Sequence, residues 1–249
     1  MWRIITAIVV SLFCSVTRAE FLIVSAAASL TNAMTDIGSL FEAQNPGYNI
    51  RFNFAGSGTL VQQISKGAPA DVLATADAHS MNRAATSSLI ETSTRSNFVT
   101  NHLVLITPST TTLSINQLQD LAQPQVTRFT IGNPDSVPAG LYAKQVLEAE
   151  NLWVALSPKA IYAQNVRQAS LYVAQNEVNA GIVFSTDAAL AGEAVKIVLA
   201  LKTTEPILYP VAMVKDTARP ALAKRFIQFL MEPPAQAVFK RYGFSAPPL

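Results

Sequence analysis

The chain has 249 residues, half of them hydrophobic and 14% charged, with a formal net charge of +2. That length suits one large domain or two smaller α/β lobes with a sizeable core. The composition excludes a disordered chain and, lacking a basic excess, a nucleic-acid binder; two histidines and one cysteine leave little for a zinc site.

The N-terminus comes first. Arg3 precedes a charge-free run from Ile4 to Val16, and Thr17-Arg18-Ala19 follows. This is the pattern of a secretory signal with cleavage after Ala19. The run is shorter than the about 20 apolar residues that a membrane-spanning helix needs, and the bulky Phe13 before Cys14 argues against lipoprotein processing. Removing residues 1–19 takes away Arg3, Arg18 and Cys14, leaving 16 basic against 16 acidic residues and no cysteine. The expected mature protein is periplasmic, formally neutral, free of disulfides and not embedded in the membrane.

Beyond the signal, Phe21 to Ser25 reads as a buried strand. Leu30, Met34, Ile37 and Phe41 recur at helical spacing, and Ile50, Phe52 and Phe54 alternate as in a strand. Leu60, Val61 and Ile64 suggest a short helix, and Asp71 to Thr75 a strand. Further strand candidates are His102 to Thr107, Arg128 to Gly132, Gly181 to Ser185 and Val195 to Leu199. Helices are expected over Ala218 to Met231 and Pro234 to Tyr242, the second opening on proline. Strands alternating with helices imply mostly parallel sheets built from βαβ units. No linker signature marks a domain boundary. The runs His102 to Thr107 and Tyr209 to Val214 are the candidates for chain crossings between two lobes.

Four strand-to-helix junctions share a chemistry. Ser29 precedes the first helical pattern, and Ser57 stands between Gly56 and Gly58. Ala139-Gly140 opens a helix after the 128–132 strand, and Val166 opens another after the region of Ile161. A helix start carries unpaired N–H groups and roughly half a positive charge, so it suits an anion. Ligands on doubly wound sheets bind at the carboxyl ends of the strands, where these junctions lie. Gly56 and Gly58 would let backbone approach a ligand closely. Serine is a common N-cap whatever the function, so the argument rests on the set and on its scarcity of charge. Only Asp135 and Arg167 bring charge to these segments.

The segments AAASLTNAM, FAGSGTL, GAPADV, VPAG-x-YAK, SPK, NVR, GIVFSTDA, YPVA and FKRYGF occur in the order and spacing of a known family. On them the chain resembles the periplasmic molybdate-binding proteins of ABC transporters over nearly its whole expected mature length. The resemblance implies an α/β fold of the type II periplasmic-binding kind: two lobes, each a doubly wound, mostly parallel sheet, joined by two crossing strands. It implies lobes of 20–103 with 209–249 and of 104–208, closing on a tetrahedral oxyanion. Carried over by position, Ser29 and Ser57 would bind ligand oxygens through hydroxyl and N–H, and Ala139 and Val166 through backbone N–H. Phe184 stands where well-studied members have a tyrosine, so one hydroxyl donor is missing. The implied function is a receptor for molybdate and tungstate that delivers them to a membrane permease, as a monomer, without cofactor or catalysis.

Two rival classes remain. Another tetrahedral oxyanion, such as sulfate or phosphate, would suit the same plan. A secreted serine-type hydrolase is less well supported: Ser57 lacks the G-x-S-x-G spacing of a nucleophile elbow, no Gly-Lys pair completes a phosphate loop, and His79 and His102 read as surface or structural. Arg167 is expected to pair with a carboxylate across the lobes. Asp71 and Asp187 should cap or pair, Trp153 should pack, and Tyr242 and Phe244 should dock the last helix.

Overall fold

The computed structural model describes residues 20–247; the expected signal segment, with Cys14, lies outside them. The described chain forms two five-stranded sheets. The first takes β1 (Glu20–Ala27), β2 (Tyr48–Ala55), β3 (Val72–Ala74), β4 (Ile90–Asn101) and β10 (Ile207–Val214), in the order β2-β1-β3-β10-β4. The second takes β5 (Leu103–Pro108), β6 (Phe129–Gly132), β7 (Ala160–Ala163), β8 (Ala180–Phe184) and β9 (Val195–Leu201), in the order β7-β6-β8-β5-β9.

The two sheets are built alike. β1 pairs in parallel with both β2 and β3, as β6 does with β7 and β8. In each sheet one strand that receives the chain from the other sheet runs antiparallel: β10 in the first, β5 in the second. The chain passes from β4 to β5 at His102 and returns from β9 to β10 through residues 202–206. Two short crossings placed side by side are the ingredients of a hinge.

The strands read from apolar runs appear within a few residues of their expected ends. β4 is the exception, because its sequence IETSTRSNFVTN is too polar to signal a strand. It lies at the sheet edge, where a third of its residues are exposed and another quarter half-buried. The last two helices occupy Pro220–Met231 (α8) and Pro233–Arg241 (α9), each with proline in its first turn.

Helix α1 (Thr31–Gln44) buries Ala33, Met34, Ile37 and Phe41. The Phe41 ring meets Phe226 and Phe229 of α8 edge-on, each at 5.3 Å between centroids. Burying a side chain of this size contributes roughly 1.5–3 kcal/mol, and this cluster fixes α8 on the first sheet. Phe244 packs against Phe239 of α9 and Tyr209 of β10, and Tyr242 Oη donates to Asp36 on α1. The chain end is thereby docked as its sequence suggests. Trp153 packs partly buried on the core.

Candidate functional site

Each strand of interest delivers the chain into a helix start at the carboxyl edge of its sheet. β1 runs into a 3-10 turn, Ala28–Leu30, and then α1. β2 runs through Gly56 into α2 (Ser57–Ser65). In the other lobe, α4 (Pro138–Ala149) follows β6, and α6 (Val166–Ala174) follows β7. Pro138 at the first helical position fixes the turn before Ala139, and the Asn165 side chain caps α6 by accepting from Gln168 N–H at 3.0 Å.

These starts face one another across a cleft and enclose a small space. It is lined by Ala27, Ala28, Ser29, Ala55, Gly56, Ser57, Ala76, Val137, Pro138, Asn165, Val166 and Phe184. The cavity volume is about 10 Å³, room for about one water. No charged side chain is in that lining. The structure thus places Ser29, Ser57, Val166 and Phe184 around one space. Ala139 is fully buried just behind Pro138 and does not line the space itself.

Both serines are buried. Ser57 Oγ accepts a hydrogen bond from Ala76 N–H at 3.0 Å, so the serine's own proton is left to donate elsewhere. Ser29 Oγ lies 3.0 Å from Tyr209 Oη. The backbone N–H groups of Ser57, Ala139 and Val166 fall in the first turns of α2, α4 and α6, where an α-helix supplies them no acceptor. Phe184 contributes only an apolar wall, with its ring centroid 5.9 Å from that of Tyr209.

The glycines around Ser57 have a task that the sequence does not suggest. A Cβ on Gly56 would lie 2.8 Å from Ser136 O, and one on Gly58 would lie 2.8 Å from Ser136 Cα. Gly58 N–H donates to Ser136 O at 2.9 Å. Their missing side chains let the facing lobe approach, and Gly56 also lines the space.

Arg167 also departs from expectation. It does not reach a carboxylate across the lobes. Its Nε lies 2.8 Å from Asp187 Oδ1, on α7 (Ser185–Ala191) of its own lobe. Across the cleft it donates instead to two carbonyls, through Nε to Ala28 O at 3.3 Å and through Nη2 to Ser29 O at 3.2 Å. Ala28 O also accepts from Thr31, through its N–H and its hydroxyl, the latter at 2.7 Å. Asp187 is fully buried beside the guanidinium, yet neither of its carboxyl oxygens has a hydrogen-bond partner among the described residues. Burial pushes its pKa up to about 6, with Arg167 pulling the other way. Asp71, by contrast, is well satisfied: its oxygens accept from Ile23 N–H and the Thr217 hydroxyl, and Arg219 lies nearby. His79 and His102 are exposed.

Two functional candidates escaped the sequence reading, Asn101 and Tyr209. A tyrosine inside the otherwise apolar Ile207–Val214 strand was the available signal, since a buried phenol needs a partner.

Two α/β lobes with helix starts converging on a cleft lined by uncharged side chains define a two-lobed solute-binding protein. The bacterial extracellular solute-binding protein model matches residues 22–245, and the chain belongs to that family. It is 38% identical to the molybdate-binding protein ModA of Escherichia coli (strain K12), over 89% of this chain and 88% of that protein. Its structure is similar to that of the periplasmic molybdate-binding protein of Azotobacter vinelandii, with a TM-score of 0.78 and 26% identity, covering 91% of this chain and all of that one. The sulfate-binding protein SubI of Mycobacterium tuberculosis shares the fold at a TM-score of 0.79, with 16% identity over 91% of this chain and 87% of that one. The fold alone therefore does not choose between oxyanions.

Proposed function

We propose that the cleft holds molybdate or tungstate and that the protein delivers it to the membrane permease of an ABC transporter. The observation that carries this reading is the lining of the cleft. It consists of two buried serines and helix starts from both lobes, without a charged side chain, in a chain more than a third identical to a named molybdate-binding protein.

The physical logic is that of a buried anion held by neutral donors. Hydrogen bonds to a charged group contribute about 1.5–3 kcal/mol each, so several together offset a large desolvation cost. Ser29 and Ser57 give hydroxyl and N–H donors and Val166 a backbone N–H; the start of α4, which lines the space through Val137 and Pro138, carries the N–H of Ala139 just behind. Phe184 adds shape only. A rigid set of donors selects by size, since a smaller anion leaves some of them unpaired. The lobes, 20–103 with 209–249 and 104–208, close on the ligand by hinge motion. The protein acts without catalysis or cofactor, as a monomer in the periplasm after cleavage behind Ala19.

A thermal-shift panel tests this. A ligand that binds only the native state adds about 2.7 kcal/mol of stability at a hundredfold excess over Kd. Molybdate and tungstate should raise the melting temperature clearly, with sulfate and phosphate leaving it in place. A rise with sulfate alone would replace the ligand; silence from all four would remove the oxyanion reading.

A further inference from the structure

The second serine differs from the first in what holds it. Ser57 Oγ takes its incoming hydrogen bond directly from a backbone N–H. Ser29 Oγ meets only another hydroxyl, that of Tyr209. Which of the two donates decides whether Ser29 offers the ligand a proton or a lone pair.

The surrounding bonds point to Tyr209 as the donor of the pair. His102 N–H donates to Asn101 Oδ1 at 2.8 Å. A backbone N–H can only donate, so this bond fixes the amide orientation. Ser185 Oγ also donates to Oδ1, at 2.9 Å. Asn101 Nδ2 then donates to Thr186 Oγ1 at 2.9 Å and to Tyr209 Oη at 3.0 Å. With its oxygen accepting from Asn101, the phenol has one proton to give, and Ser29 Oγ is the acceptor within reach. Burial raises the Tyr209 pKa well above its ordinary value, so that proton is retained. Ser29 accepts, and its own proton is free for the cavity.

We propose that Asn101 and Tyr209 are positioning residues: they set Ser29 as a hydrogen-bond donor to a deprotonated oxyanion and tie that contact to the closed cleft. The tie follows from where the partners sit. Asn101 ends β4 at the crossing into the second sheet, Tyr209 is on β10 of the first sheet, and Ser185 and Thr186 open α7 of the other lobe. Opening the hinge pulls Ser185 and Thr186 from the amide and so loosens the chain of donors that ends at Ser29. The inference rests on the oxyanion reading of the cleft.

The test is a double-mutant cycle with Tyr209→Phe and Ser29→Ala, titrated with molybdate. The phenylalanine keeps the ring among Phe98, Phe184 and Phe244, and melting of the free protein confirms that each variant folds. Tyr209→Phe alone should weaken binding about tenfold. In the Ser29→Ala background the same change should have less than about a twofold effect. A purely structural role would give equal losses in both backgrounds. Equal losses, or no loss in the single variant while the wild type binds, would overturn the relay and leave the cleft reading standing. No binding by the wild type would overturn both.

Discussion

Ser57→Ala separates what this serine does for the fold from what it does for the ligand. The hydroxyl is fully buried and accepts from Ala76 N–H, itself 1% exposed, at 3.0 Å. Removing Oγ leaves that N–H buried without a partner. The cost is about 1–3 kcal/mol, reduced if a water enters the space. Melting of the free protein should therefore fall by several degrees. Binding loses a separate quantity. The Ser57 proton is directed by the incoming bond and has the cavity before it. Its loss removes one charge-assisted hydrogen bond, about 1.5–3 kcal/mol, or roughly 10- to 150-fold in Kd. Calorimetric titration with molybdate, beside melting of the free protein, measures both. A lowered melting temperature with unchanged Kd would refute the ligand role and reduce Ser57 to a brace for Ala76. An unchanged value of both would refute the geometry of the second junction altogether.

The other variants probe closure and charge. Gly58→Ala should leave the free protein as stable or stabilise it by about 0.5–1 kcal/mol, because alanine suits a helix better than glycine. Its Cβ would collide with Ser136, so affinity should fall at least about tenfold; scattering should show less compaction on ligand addition, and full compaction with unchanged affinity would contradict the close approach of the lobes. Asp187 has a pKa raised from 3.8 to about 6 by burial. Its protonated form favours the folded state, so that contribution is complete below about pH 4 and is lost as pH rises through 6. The difference corresponds to roughly 3 kcal/mol. Asp187→Asn should flatten this part of the stability profile, and an unaltered profile would mean that Arg167 keeps the carboxylate ionised throughout.

Much of this architecture can be read from the sequence for identifiable reasons. Strands covered on both faces are continuous apolar runs, so β1, β5, β8 and β10 announce themselves. Helix starts after strands are local events, marked by Ser29, by Gly56-Ser57-Gly58, by Pro138 and by Asn165. What escapes is what depends on distance across the chain. β4 is disguised by the Ser and Thr of a solvent-facing edge. The partner of Arg167 could not be foreseen, because Asp187 lies twenty residues on and is brought beside it only by the packing of α6 on α7. The chain of side chains from Asn101 through Tyr209 to Ser29 joins residues 72 to 180 positions apart, brought together by the pairing of β4 with β10 in the sheet that also holds β1. The glycines beside Ser57 were legible as small; that they make room for Ser136 was not.

The central claim is that neutral donors alone hold a tetrahedral dianion between the lobes. Titration of residues 20–249 with molybdate in the presence and absence of excess sulfate tests it most directly. One molybdate per chain, bound with an affinity that the excess sulfate scarcely changes, is the expected result. Displacement of molybdate by sulfate at comparable concentrations, or no binding of molybdate at all, would contradict it.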